Sequence, residues 1–145
     1  MVQVAKDIMD PSVLTVDVDA DALACARSMV ERHKGYAVLV RAGAIAGIVT
    51  EWDFLAKIVA PGLDAAQTPV RAIMTASVDS CAPETPTDEV IATMAERGIR
   101  RMVVRAGDRV LGVITSRNVL QMFREYVDRL SSEIASYQSQ ASPLG

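Results

Sequence analysis

The sequence predicts a mixed α+β (α/β) fold: two pseudo-twofold-related β-α-β-β-α lobes followed by an extra C-terminal helix. Three observations predict it. The chain repeats itself without gaps at an offset of 65 residues. Each copy shows the same succession of strand-like and helix-like apolar patterns. The last helical pattern of the second copy runs on past the point where the first copy stops. With 145 residues, half of them apolar and 4% aromatic, the chain can form one ordinary domain or two small lobes sharing a core of Ala, Val, Ile, Leu and Met.

The offset aligns Ile8-Met9 with Ile73-Met74, Ser12-Val13 with Ser77-Val78, and Met29, Glu31 and Arg32 with Met94, Glu96 and Arg97. It also aligns Gly47 with Gly112 and Thr50 with Thr115. Two copies are too few for a solenoid, which needs at least three, so a pseudo-twofold pair is expected.

Taken in order, each copy opens with a short apolar segment, "SVLTV" or "SVDSC", read as a strand. Acidic and turn residues, "DVDAD" and "PETPTDE", then mark a helix start. The first helix carries Ala22, Cys25, Ala26, Met29 and Val30 at helical spacing, matched by Val90, Ile91, Met94 and Ala95. Two strands joined by a glycine turn follow, "YAVLV" to "IAGIVT" and "MVVR" to "VLGVIT". A second helix starts near Trp52 or Arg117, and the first of these stops at Pro61-Gly62. The resulting division is lobe one over 1–60, a linker over 61–68, lobe two over 69–125 and the helical extension with a frayed end over 126–145.

A net charge of −3 gives no global attraction to nucleic acid or anionic membrane, and no apolar stretch approaches the roughly 20 residues of a membrane span. The N-terminus lacks the pattern of a signal peptide, so a cytoplasmic protein is expected. Cys25 and Cys81 align with Val90 and Val16 and are expected to be buried apolar residues, with no disulfide and no metal site. His33 is the one histidine, and no serine or cysteine has a partnered base, so catalysis is not expected.

The chemistry concentrates in "GIVTEWD" (47–53) and its counterpart "GVITSRN" (112–118). A strand ending in Thr-x-x-Asp at a helix start brings together a hydroxyl, a carboxylate and unpaired backbone N–H groups. The donors suit an oxyanion, and the acceptor-only carboxylate suits a vicinal diol; together they fit a ribose phosphate. The competing reading is that Thr50 or Asp53 simply caps the helix.

With these motifs the chain resembles the tandem cystathionine-β-synthase (CBS) domain pair, or Bateman module. The resemblance rests on "DIMDPSVLTV…GIVTEWDFL" and "AIMTASVDSC…ERGIRRMVV…LGVITSRNVL" and covers residues 4 to about 125. It implies two facing lobes with two clefts between them that bind adenine nucleotides, AMP, ADP or ATP, or S-adenosylmethionine, and a regulatory role without a required cofactor. One departure is Val38 and Val103 where many members carry proline.

Carried over onto this chain, the resemblance implies a main cleft in which Asp53 holds the ribose hydroxyls with Thr50 beside it. Met9, Leu14, Lys34, Gly35 and Tyr36 would enclose the base, and Arg100, Arg101, Thr115 and Arg117 would supply phosphate ligands from the opposite lobe. A weaker cleft would hold Asn118, Met74 and Ile99, with Asp79 near the base and Gly35, Tyr36 and Trp52 at the phosphate positions. The competing reading of the arginines is a solvated face on one lobe.

In the tail, Phe123, Val127, Leu130, Ile134 and Tyr137 recur at intervals of three to four residues. This stripe either folds back on its own lobe or packs against another chain, and the second is favoured, giving a homodimer. The leading functional expectation is a nucleotide-binding regulatory module that signals to an unidentified partner protein, with neither nucleic acid nor membrane involved. The rival is a structural dimerisation module that binds no nucleotide.

Overall fold

The computed structural model describes residues 3–140. Each repeat forms a three-stranded sheet, in the order β1-β2-β3 and β4-β5-β6. In the first lobe β1 (Thr15–Asp17) lies parallel to β2 (Tyr36–Arg41), which is antiparallel to β3 (Ala44–Thr50). Helix α2 (Ala22–Glu31) makes the crossover that a parallel pair requires. It begins at Asp21, whose side chain accepts the Ala24 N–H at 2.7 Å, and buries Ala22, Cys25 and Met29. The second lobe repeats this with β4 (Ser80–Cys81), α4 (Thr87–Arg97), β5 (Arg101–Ala106) and β6 (Arg109–Thr115). Even the irregularity in the antiparallel ladder recurs, between Leu39 and Val40 and between Val104 and Arg105.

The opening strands are shorter than the five-residue apolar segments suggest. Residues 14 and 79 still contribute carbonyls, accepting from Val38 N at 2.9 Å and Val103 N at 3.0 Å. Cys25 is fully buried, and burial pushes its thiol up to about 11. Cys81 departs from expectation in being only partly buried, because β4 is a two-residue strand at a sheet edge.

The largest departure is where the entry segments go. A short helix, α1 (Ala5–Ile8), which the sequence pattern did not reveal, packs against the second lobe. Ala5 is buried there with Val90, Met94, Met102, Val104 and Ile114, and Asp10 exchanges backbone hydrogen bonds with Val113 at 2.9 and 3.0 Å. Reciprocally, a 3₁₀ turn at Val70–Ala72 packs against the first lobe. Val70 and Ile73 join its core, and Thr75 exchanges backbone bonds with Ile48 at 2.9 and 3.0 Å. The segment expected to be a plain linker contains a second 3₁₀ turn, Ala65–Gln67, with Ala65 against that same core. The repeats are contiguous in sequence and exchanged in space.

Between the lobes lies a third apolar cluster. Tyr36, Val38, Val103 and Val113 are buried, flanked by Val13, Val40, Ile45, Ile48, Val78 and Val110. The second helix of lobe one, α3 (Glu51–Phe54), widens into a π-helical turn at Leu55–Val59. Its counterpart α5 (Ser116–Gln140) continues regularly for 25 residues, touching α1 and β6 near its start. Beyond that it does not fold back, and Phe123, Tyr126, Leu130, Ile134 and Tyr137 stand exposed. Among the described residues no helix is long and apolar enough to cross a membrane.

The exchange explains the repeated glycine in "GIVT" and "GVIT". A Cβ on Gly47 would stand 2.8 Å from the Thr75 carbonyl oxygen and 2.7 Å from Met74 Sδ. One on Gly112 would stand 3.0 Å from the Asp10 carbonyl oxygen. Because Thr75 is held by two backbone hydrogen bonds, it has little room to retreat. Gly47→Ala is therefore expected to destabilise the fold by about 1–3 kcal/mol, measured as the shift in urea unfolding.

Candidate ligand-binding clefts

Thr50 ends β3 and opens α3, so the chain turns there and the Asp53 side chain reaches back over the helix start. Asp53 Oδ2 accepts the Thr50 N–H at 2.8 Å and the Thr50 hydroxyl at 3.2 Å. Its other oxygen pairs with Lys57 Nζ at 2.9 Å, and Lys57 also donates to the Ile73 carbonyl at 3.0 Å. Capping is thus part of what Asp53 does. Yet it is the one buried charged side chain among the described residues, 7% exposed, and it lines a cleft of about 380 Å³. That cleft is completed from the second lobe by Thr75, Ser77, Val78, Asp79, Ile99 and Arg100–Arg101.

At the corresponding place on lobe two, Asn118 Oδ1 accepts from the Thr115 N–H at 2.9 Å and from its hydroxyl at 3.0 Å. This second cleft is larger, about 510 Å³, and is lined by Asp10, His33–Tyr36, Arg100–Arg101 and Thr115–Asn118, with Gln121. Lys34 Nζ reaches Asp10 Oδ2 at 2.8 Å, tying lobe one to the entry segment that packs on lobe two. The hydrogen bond from Lys34 is the main cause holding the Asp10 carboxyl below the usual range, assisted by the Ser12 N–H.

Arg101 stands between the two clefts. Its guanidinium lies 5.8 Å from the centre of the Tyr36 ring and 3.6 Å from Glu51 Oε1. Tyr36 and Arg101 are equivalent residues of the two repeats, so the cation stacks on its own counterpart across the pseudo-twofold axis.

The structure divides the expected site residues differently from the family carry-over. Asp53 and Thr50 share a cleft with Arg100 and Arg101. Lys34, Gly35, Tyr36, Thr115 and Arg117 line the Asn118 cleft instead. Met9 packs on the second lobe beside Asn118, while Met74 packs against the first. Leu14 is buried in the first-lobe core. Ile99, Asp79 and Trp52, assigned to the weaker cleft, line the Asp53 cleft, where Asp79 is held by Arg97 at 2.8 Å. The exchange of entry segments, which carries residues 4–10 and 70–75 to the opposite lobes, accounts for Met9 and Met74, whereas Lys34–Tyr36 and Asp79 with Ile99 stay on their own lobes and face the helix start of the other lobe. Ser77 and Val78 were missed as cleft residues, and no motif in the sequence singles them out.

Two three-stranded sheets joined across a valine-rich seam, with a Thr-x-x-Asp or Thr-x-x-Asn turn at each cleft, define a pair of CBS domains. The chain belongs to the CBS-domain family, whose model matches residues 5–60 and 70–125. It is 30% identical over 123 residues to an L-aspartate semialdehyde sulfurtransferase of Methanosarcina acetivorans, covering 83% of this chain and 24% of that protein. The chain thus spans about a quarter of that relative's length. A conserved protein of Pyrococcus horikoshii superposes with a TM-score of 0.78 at 27% identity, over 86% of this chain and 94% of that one. The CBS domain pair of protein MJ0100, in complex with 5′-methylthioadenosine and S-adenosyl-L-methionine, superposes at 0.77 with 24% identity, over 87% and 99% of the two chains.

The Asp10–Lys34 pair yields a pH prediction. A carboxyl whose value is lowered on folding stabilises the fold above the ordinary carboxylate range, and that stabilisation is lost as the pH falls through the lowered value. Thermal unfolding from neutral pH into acid should show Asp10→Asn less stable than the parent at neutral pH, with the difference vanishing at the acid end.

Proposed function

We propose that this protein is a regulatory module that binds an adenine nucleotide in the Asp53 cleft and signals its occupancy to a partner protein, rather than an enzyme. The observation that carries this reading is the buried Asp53 carboxylate sharing one cleft with Arg100 and Arg101 of the other lobe. With Oδ2 occupied by Thr50, Asp53 Oδ1 is the acceptor that a ribose hydroxyl can take, and guanidiniums offer paired donors to phosphate. Ile48, Val78 and Ile99 supply apolar wall for a base. A diol that takes Asp53 Oδ1 displaces Lys57, whose other partner is Ile73 on the segment exchanged from the second repeat. Ligand occupancy thereby reaches a contact between the repeats. A ligand that touches both lobes favours the arrangement in which both sets of contacts form. The MJ0100 pair shares the fold, and an adenosine-containing ligand, S-adenosylmethionine included, is compatible with it.

Isothermal titration calorimetry with AMP, ADP, ATP and S-adenosylmethionine tests the reading. Asp53→Ala should remove most of the binding and Asn118→Ala should change it little. Unfolding midpoints that do not move with any of these ligands at millimolar concentration would favour the rival, a dimerisation module that binds no nucleotide.

The chain also self-associates through α5. The exposed residues Leu120, Phe123, Val127, Leu130, Ile134 and Tyr137 follow a heptad spacing. Val127 and Ile134 fall at a positions with Leu130 at d, the combination that favours two parallel strands, so the partner is a second copy. Light scattering should show a dimer that Leu130→Glu converts to monomer without altering the circular dichroism of the lobes.

A further inference from the structure

The helix after the Thr-x-x-Asp turn does not follow the same backbone course as its counterpart after Thr-x-x-Asn. In the first lobe it widens at Leu55–Val59 into a π-helical turn, and the Ala60 N–H donates to the Leu55 carbonyl, five residues back, at 2.9 Å. The Leu63 N–H repeats this on the Ile58 carbonyl at 2.9 Å. The equivalent residues of the second repeat, 120–124, lie within the regular helix α5. Single π-helical turns are rare and recur at functional sites, so this one calls for a local cause. Lys57 supplies it. It sits in the middle of the widened turn, and its Nζ is tied to Asp53 Oδ1 at 2.9 Å and to the Ile73 carbonyl at 3.0 Å, on the segment exchanged from the second repeat. The second repeat has neither tie, because Met122 stands at the position of Lys57 and Asn118 at that of Asp53.

The widened turn coincides with a wider surface groove. Between α2 and α3 runs a groove of about 690 Å³ whose walls include Met29, Val30, Phe54 and Leu55. The matching groove of lobe two, between α4 and α5, holds about 220 Å³. Every residue lining the smaller groove has its counterpart in the larger, as Met94 with Met29, Ala95 with Val30 and Val119 with Phe54. Side-chain size does not account for the difference: Ala26 in place of Ile91 frees space, whereas Phe54 for Val119 and Val30 for Ala95 fill it. What differs is the course of the helix. Leu55, the first residue of the widened turn, lines its groove, and its counterpart Leu120 does not line the other.

We propose that the π-helical turn Leu55–Val59 is a switch through which occupancy of the Asp53 cleft sets the width of the α2–α3 groove. This rests on the nucleotide reading for its ligand and goes beyond it in naming the element that moves. A hydroxyl that takes Asp53 Oδ1 releases Lys57, and the turn loses the tie that holds its extra residue. Residues 55–60 then settle into the α-helical pattern of the second repeat, with the Ala60 N–H on the Ala56 carbonyl, and the groove narrows. Gly62, at a φ of 76° with open space around it, lies where the slack is taken up. Because the hydroxyl and Lys57 compete for one oxygen, the ligand has a differential affinity for the released state, which is what a population shift requires.

The test uses the full chain. In a ligand-free crystal structure of Lys57→Met, the Ala60 N–H should bond to Ala56, and the groove should fall from about 690 towards 220 Å³. Lys57→Met leaves a buried carboxylate without its cation, so Asp53→Asn/Lys57→Met, which reproduces the second repeat, is solved beside it. A π-helical turn retained in either variant overturns the proposal. In solution, calorimetry establishes whether AMP binds, and hydrogen exchange follows the amides of 55–63. AMP should bring the Ala60 and Leu63 exchange rates of the parent to those of ligand-free Lys57→Met. AMP that binds without moving them overturns the switch and leaves the nucleotide reading standing. AMP that does not bind sinks the nucleotide reading, and the switch then stands or falls on the two variants.

Discussion

The constraint on which the structure depends is the reciprocal pair of backbone bridges, Ile48 with Thr75 and Asp10 with Val113. Each bridge seats the entry segment of one repeat on the last strand of the other. Neither lobe therefore completes its core from its own contiguous sequence: Ala5 and Met9 serve the second lobe, and Val70, Ile73 and Met74 serve the first. Separation of the lobes would break backbone hydrogen bonds and uncover both cores along with the central valine cluster. Burial of that apolar area is what holds the lobes face to face, and the bridges set their register. Glycine at 47 and 112 is the local cost, since any side chain there would strike the arriving segment.

From this arrangement the clefts follow. Each lies where a Thr-x-x-Asp or Thr-x-x-Asn turn of one lobe faces the approach to the first strand of the other, so each draws residues from both lobes. Near the pseudo-twofold axis the two clefts come close enough to share Arg100 and Arg101. An exact duplicate would place identical residues on both sides of that axis. This chain places Tyr36 opposite Arg101 and Gly35 opposite Arg100, and Arg101 stacks on the tyrosine while pairing with Glu51. A Cβ on Gly35 would approach Arg101 Nη2 to 2.6 Å, so the small residue on one lobe makes room for the cation on the other.

Much of the fold was legible because the repeat doubles every local signal. The periodicity of Ala22, Cys25 and Met29 is confirmed by Val90 and Met94, and the glycine turns recur in register. Helix α1 was not legible: four residues cannot display helical periodicity, and α1 gains its stability from packing on the other lobe. The grouping of cleft residues failed for a related reason. The family resemblance placed Met9, Lys34 and Tyr36 with Asp53, whereas the exchanged entry segment carries Met9 to the second lobe, and Lys34 and Tyr36, still on their own lobe, face Asn118 across the interface. Local propensity does not encode which lobe a segment will choose; the close approach permitted at Gly47 and Gly112 does, and it becomes readable only with coordinates.

The divergence of the repeats then has a consistent chemistry. In the first, Asp53 is held by Lys57 one helical turn on; in the second, the equivalent positions are Asn118 and Met122. Charge has been removed from both members together, so no buried carboxylate is left without its partner, a condition that would be costly. The cap survives because Asn118 Oδ1 accepts the same Thr115 donors that Asp53 Oδ2 accepts from Thr50. Holding the helix start therefore needs only an acceptor, and an amide supplies it. A paired, buried carboxylate in the first repeat exceeds what capping requires, and its second oxygen, engaged by a lysine that is itself 43% exposed, is the group a ligand hydroxyl can compete for.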